Sequence, residues 1–404
     1  MIVKLIWRNL WRNKRRTSIT FVSVGFALLF AILMQSLQKG IFGNLIKNVV
    51  EYHTGYIQIH SKGYWDEQII DNCFAFENSL EKKLSKNQDI RLILPRLESF
   101  LLISKKDLTK GCMVIGTDTE RENQLSQLKS KIKKGDYFKN EEEVVIISEG
   151  LANRINTKVG DTIVLFGQGY QGAIAAGKFR VKGIVHLASP DMNDALVYMP
   201  LAAAQKMLGA ENMITSISLG ISNKEKINLI KERIDKETNH EYEVMAWEEM
   251  MPQIANHIKI DGITFYIYSG ILYLIIGFGF FGTILMMTTE RKREFGMLIA
   301  IGMQKRKLAM VLLGESLMIS LIGVIAGIGI SFPVVYYLEK HPIRFGGEIA
   351  VAYEKFGFEA IFPTILSAEI FITQSLIVLM MALLIGLYPL YNIATLNPLK
   401  ALKK

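Results

Sequence analysis

Four stretches of the chain stay apolar for more than twenty residues, while the segments between them alternate polar and apolar positions. The first covers 17–37 (TSITFVSVGFALLFAILMQSL) and holds no charge. The second covers 263–287, the third 308–338 and the fourth 370–391. A bilayer-crossing helix needs about 20 mostly apolar residues, so each stretch is predicted to span a membrane. Glycines crowd the second and third (Gly277, Gly279, Gly282, then Gly323, Gly327, Gly329). Small residues let membrane helices approach closely, so packed helices are expected there. The first run is too long for a signal peptide, and no small-x-small site follows at 35–44, so it reads as a retained anchor.

Between the first two spans, 41–262 shows mixed periodicity. YIQIH (56–60), EVVIIS (143–148), DTIVLF (161–166), FRVKGIV (179–185) and ALVYM (195–199) read as strands. Helical spacing appears in 200–209, closed by Gly209, and in 223–237. Strands and helices interleave without strict βαβ order, which predicts an α+β domain large enough for its own core. Residues 245–260 are expected to run as one helix into the second span.

Charge then orients the chain. It has 404 residues, 47 Lys and Arg against 38 Asp and Glu, and a formal charge of +9. The mean hydropathy of +0.24 averages two unlike materials, which excludes a wholly soluble enzyme or a disordered chain. Basic residues cluster before the first span (Lys4, Arg8, Arg12, Lys14, Arg15, Arg16) and between the second and third (Arg291, Lys292, Arg293, Lys305, Arg306, Lys307). Lys400, Lys403 and Lys404 close the chain. The 339–369 loop has three basic residues and five acids. By the positive-inside rule both termini and 288–307 are cytoplasmic, and 41–262 lies outside. That segment holds 28 basic and 30 acidic residues, so the excess charge belongs to the membrane edge, where anionic lipid attracts it. Nucleic-acid binding is not needed to explain a pI near 9.2.

The expected layout is a basic N-terminal helix with span one (1–40), the external domain (41–262), span two (263–287), a cytoplasmic loop (288–307) and span three (308–338). An external loop (339–369), span four (370–391) and a cytoplasmic tail (392–404) complete it. Glu315, the one acid in span three, has two readings. It is either a functional intramembrane acid, since such groups are costly, or a group near the headgroups that contacts the basic loop.

Candidate chemistry is thin. GQGYQG (167–172) and GAIAAGK (172–178) match phosphate-loop patterns, but the chain enters another strand instead of a helix, and Phe179 stands where a P-loop needs Ser or Thr. The segment reads as a Gly-rich hairpin. The six histidines show no metal-ligand spacing. Asp191 and Asp194 read as a solvated turn. Cys73 and Cys112 are too few for a disulfide scaffold, and whether they pair is open. No nucleophile, base and orienter come together, so neither an enzyme nor a cofactor is expected.

The most informative stretch is TTERKREFGMLIAIGMQKRKLAMVLLGES (288–316). Charges lead, then Phe295, Leu298, Ile299 and Ile301 recur at helical spacing until Gly302. This predicts a short amphipathic helix along the inner membrane face. The pattern E-R-x-R-E-F-G-x-L-x-A-I-G, followed by LLGES, resembles the FtsX-type ABC permeases of the MacB, LolC and LolE group. WRNLWRNKRRTSIT (7–20) resembles that family's basic first helix. The core-domain stretch 144–209 and the end GLYPLYNIATLNPLKALKK (386–404) are similar to the same group.

The resemblance implies a membrane protein with four transmembrane α-helices and a large α+β extracytoplasmic domain of the MacB-like periplasmic core type. It implies two permease subunits, identical or paralogous, and two copies of a separate ABC ATPase in the cell inner membrane. ATP-driven closure would be relayed as movement of the external domains. The coupling role carries to Glu290, Arg291, Arg293, Glu294, Gly296, Leu298, Ala300 and Gly302, with apolar residues docking on the ATPase and charges fixing the register. Lipoprotein release is the leading expectation. Export of peptides, antibiotics or other amphiphiles and activation of an external cell-wall hydrolase are the alternatives. In the lipoprotein-releasing subset a hairpin holds a periplasmic carrier. The matching place is 167–178, where Gln168, Tyr170 and Gln171 would form the docking edge.

Overall fold

The computed structural model describes residues 2–12, 14–350 and 360–395. It divides into two units. One comprises Met1–Phe42, Ile258–Arg344 and Ile361–Lys404; the other comprises Gly43–His257 and Phe345–Ala360.

Four helices, lying mostly in the first unit, are long and apolar enough to cross a membrane: Thr17–Val50, Pro252–Glu290, Lys305–Lys340 and Ala368–Ala394. Each contains its predicted run and extends beyond it. Spans one and three approach through small residues. A Cβ added to Gly327 would sit 2.9 Å from the Gly25 carbonyl oxygen, and one on Gly323 would sit 2.8 Å from Val24. Close approach of this kind is the packing expected of glycines. Gly329 of span three has nothing within 4 Å of a built Cβ, and span two differs from the expectation throughout. Gly279 and Gly282 have nothing within 4 Å of a built Cβ, and Gly277 meets only Met381. Its outer residues, among them Tyr266 and Phe278, are exposed, so its glycines do not mark a packed seam within this chain. Gln374 of span four is buried and bridges Gln35 of span one and Tyr273 of span two by side-chain hydrogen bonds.

The second unit is built on one large mixed sheet. Its strands run, in spatial order, Glu243–Ala246, Ile57–His60, Ser216–Ile221, Ile90–Lys105, Leu108–Thr117, Leu196–Pro200, Val144–Ser148, Ile174–Val185 and Ile132–Gly135. Thr162–Gln168 pairs with both Ile90–Lys105 and Ile174–Val185. Five of these strands were legible as alternating runs. The long hairpin Ile90–Lys105 with Leu108–Thr117 was not among them, although it forms the middle of the sheet. Helices Leu201–Leu208 and Ile227–Glu237 follow the predicted segments, the first closed by Gly209 at φ +67°. Cys73 and Cys112 are both buried in the main core and both free. Burial pushes their thiols up to about 11 and about 12.

Residues 245–260 are not one helix. Glu243–Ala246 is a strand, Trp247–Met250 a single turn, and Met251 adopts φ −128°, ψ 62° before the helix Pro252–Glu290 begins. The proline explains the break: it disfavours helical geometry at the residue before it, yet suits the first position of the next helix.

Candidate coupling surface and hairpin

The loop between spans two and three holds the helix Lys292–Ala300. Phe295 on its inner side is 1% exposed and packs with Leu308, Leu312 and Ile393. Its end is a Schellman cap. The Met303 N–H donates to the Leu298 carbonyl and the Gly302 N–H to the Ile299 carbonyl, both at 3.0 Å. Gly302 takes φ +101°, a backbone region that side chains rarely adopt. The residue that ends the apolar pattern therefore ends the helix for a stereochemical reason.

The eight residues expected to couple divide between two faces. Glu290, Arg293, Leu298, Ala300 and Gly302 are exposed. Gly296 is buried in the helix's inner face. Arg291 is buried as well, and its Nη1 donates to Glu315 Oε2 at 2.7 Å. The contact between Glu315 and the basic loop is thereby the reading the structure realises. Glu294 is half-buried and accepts from Arg12 Nη2 at 2.5 Å. Partial burial pushes the Glu294 carboxyl up, but hydrogen bonds from Arg12 and Arg291 outweigh it and hold the group below its ordinary value.

The exposed face also contains residues outside that set. Ile301 is 85% exposed, and Met297, one turn before it, is 44% exposed. The signal of Ile301 was present in the sequence as the last member of the helical spacing. Nothing in the local pattern revealed Arg12 or Asn9 as partners, because they lie 282 and 306 residues from Glu294 and Glu315.

The 167–178 segment is shorter as a loop than its glycines suggest. Ladder pairing continues to Gln168 opposite Ile174, so only 169–173 turns. A Cβ on Gly167 would strike Leu101 at 2.6 Å and one on Gly177 would strike the Phe179 ring at 2.5 Å. These glycines admit neighbouring side chains to the sheet surface. The turn is tied down by the Gln171 N–H, which donates to Asp71 Oδ1 at 2.6 Å. Gln168 and Gln171 point outward, while Tyr170 packs against the main core. Next to them Ile174 is 90% exposed, and Phe100 on the same sheet face is 63% exposed. No group of three His, Cys, Asp or Glu able to hold a metal occurs among the described residues.

Residues 17–237 match the MacB-like periplasmic core domain family, and residues 266–398 match the FtsX-like permease C-terminal family. An uncharacterized ABC transporter permease of Methanocaldococcus jannaschii is 23% identical over 272 residues, 65% of this chain and 63% of that protein. The lipoprotein-releasing system transmembrane protein LolC of Xylella fastidiosa is 22% identical over 321 residues, 76% of each chain. The probable export ATP-binding/permease protein MacB of Pseudomonas entomophila is 19% identical over 420 residues, 99% of this chain and 58% of that protein. The chain thus spans less than two thirds of the first and third of these relatives.

Proposed function

The chain belongs to the MacB-like, FtsX-type family of ABC transporter permeases, and from that premise we propose that it is a membrane subunit through which a separate ATPase moves the 41–262 domain to release lipoproteins from the inner membrane. The observation that carries the coupling reading is the outward face of Lys292–Ala300. Arg293, Leu298, Ala300 and Ile301 are presented there, while Phe295 anchors the helix from below. Exposed apolar side chains with the exposed Arg293 on the same helix suit a groove on an ATPase, and a helix capped by Gly302 presents them rigidly. Two ATPase copies and a second permease subunit, identical or paralogous, complete the assembly. The basic loops lie on the cytoplasmic side and the large domain outside. No catalytic residue of its own is required, because the nucleotide chemistry sits on the partner.

Lipoprotein release is supported by the LolC relative, which matches three quarters of both chains. A carrier would meet Gln168, Gln171 and Ile174 at the outward edge of the short turn. Depleting the protein in its native host and fractionating the membranes tests this. Lipoproteins retained in the inner membrane support release, and normal sorting refutes it. Export of peptides, antibiotics or other amphiphiles is the second reading, supported by a relative named as a probable export ATP-binding/permease protein that matches along 99% of this chain. It predicts normal lipoprotein sorting together with sensitivity to exported drugs or peptides.

A further inference from the structure

The helix Ile2–Arg12 buries Ile6 and Leu10 in a cluster with Val311 and Ile319 of span three. The fit is close: a Cβ on Gly314 would meet Ile6 Cδ1 at 2.4 Å. A polar chain joins the same elements a second time. Asn9 Nδ2 donates to Glu315 Oε1 at 2.6 Å, and Arg291 Nη1 donates to the other oxygen at 2.7 Å. Arg291 Nε then reaches Glu294 Oε2 at 3.3 Å, the oxygen that also accepts from Arg12. Two guanidinium groups face two carboxylates, so the four charges cancel. Glu315 is 3% exposed and Arg291 8%. Removing one partner of such a pair leaves a charge stranded away from water, which is strongly unfavourable. The Arg291 guanidinium also lies over the Phe295 ring, 5.3 Å from its centroid, within cation–π range.

We propose that Asn9, Arg12 and Glu315 are positioning residues for coupling: they make the N-terminal helix, the helix Lys292–Ala300 and the start of span three move as one body. This rests on reading Lys292–Ala300 as the ATPase-docking helix. An isolated surface pair such as Arg12–Glu294 would contribute little. Here it is linked through Arg291 to a buried carboxylate whose oxygens are both taken. Displacement of the docking helix is thus delivered to span three through Arg291 and Glu315, and to the N-terminal helix through Arg12 and Asn9. On that helix Trp7 and Trp11 remain 47% and 54% exposed, with the Lys14 ammonium 5.5 Å from the Trp11 ring centroid. Amphipathic rings of this kind settle at headgroup level. The docking helix therefore pulls on a segment that the membrane surface also holds.

The test uses the full chain in nanodiscs of phosphatidylethanolamine and phosphatidylglycerol, with Cys73 and Cys112 replaced by alanine. Spin labels sit at two exposed positions, Arg8→Cys and Lys292→Cys. The parent should give one narrow distance peak. Glu315→Gln and Arg12→Glu should each lose it, and the reversed pair Arg12→Glu with Glu294→Arg should recover it. Unchanged peaks in both single variants overturn the proposal. A second arm measures transport by the complex purified from its native host. Arg12→Glu should lower it roughly tenfold, within the usual range of coupling between sites, and the reversed pair should restore it. Parental transport in Arg12→Glu also overturns the proposal. Absence of any ATPase from the parent preparation refutes the docking reading alone, since the spin-label arm needs no partner and still decides whether the three elements are joined.

Discussion

Arg96 and Glu122 meet at 2.8 Å with both side chains wholly shielded from solvent. Arg96 Nε reaches the second carboxylate oxygen at 3.0 Å, and Arg96 also donates to the His53 carbonyl, so one side chain ties the chain segment leaving span one to the large sheet. Glu122→Ala should destabilise the full chain by about 3–5 kcal/mol, because it strands a buried guanidinium. Arg96→Met combined with Glu122→Leu should cost much less. Urea-dependent pulse proteolysis in detergent separates these outcomes.

Acid should weaken the same domain through its buried histidines. Burial pushes His53 down to about 3 and His60 down to about 4, and the Nδ1 atoms of both are buried without a partner. The neutral ring is favoured in the folded state, so the unfolded chain binds more protons below its ordinary pKa of 6.5. Stability is complete above that value and falls as pH drops from there towards 4, by about 1.4 kcal/mol per pH unit for each histidine. Unfolding midpoints at pH 7.5 and pH 5 check this, and His60→Asn should flatten the slope.

Charge placed on the outward face should uncouple without unfolding. Leu298→Glu and Ile301→Glu replace exposed apolar groups, so thermal stability should stay within about 0.5 kcal/mol of the parent. Retention of the ATPase on the purified permease should fall at least about tenfold, or ~1.4 kcal/mol of binding. Equal retention would remove the face from the interface.

Gly302 should resist substitution for backbone reasons alone. Space around it is open, but φ is +101°. Gly302→Val should cost about 1–3 kcal/mol of local strain and fray the cap, seen as faster hydrogen exchange at Met303. Coupled ATP hydrolysis should fall with it.

Two glycines of similar appearance in sequence should behave oppositely. Gly327→Ala places its Cβ 2.9 Å from the Gly25 backbone oxygen, so spans one and three must part, at about 1–3 kcal/mol. Gly282→Ala meets nothing within 4 Å and should be neutral or gain up to about 1 kcal/mol of helix propensity. Thermal unfolding of both variants in one detergent compares them directly.

The four spans, the α+β domain between the first two, five of its strands and the Gly302-capped helix could be read along the chain. Each is set by local periodicity: a long apolar run, an alternating run, or a helical stripe ended by glycine. Membrane burial and backbone stereochemistry act on neighbours in sequence, so they leave that signature. The tail motif at 396–404 lies outside the described residues. Tertiary structure alone decided which glycines pack, because Gly282 and Gly327 differ only in what another helix brings to them. It also decided that Arg291 turns inward to Glu315 while Arg293 faces out. Pairing of Glu294 with Arg12 joins residues separated by 282 positions, and Asn9 with Glu315 by 306. A hydrogen bond depends on atoms within about 3 Å, and no pattern along a single chain states which distant groups folding will bring that close.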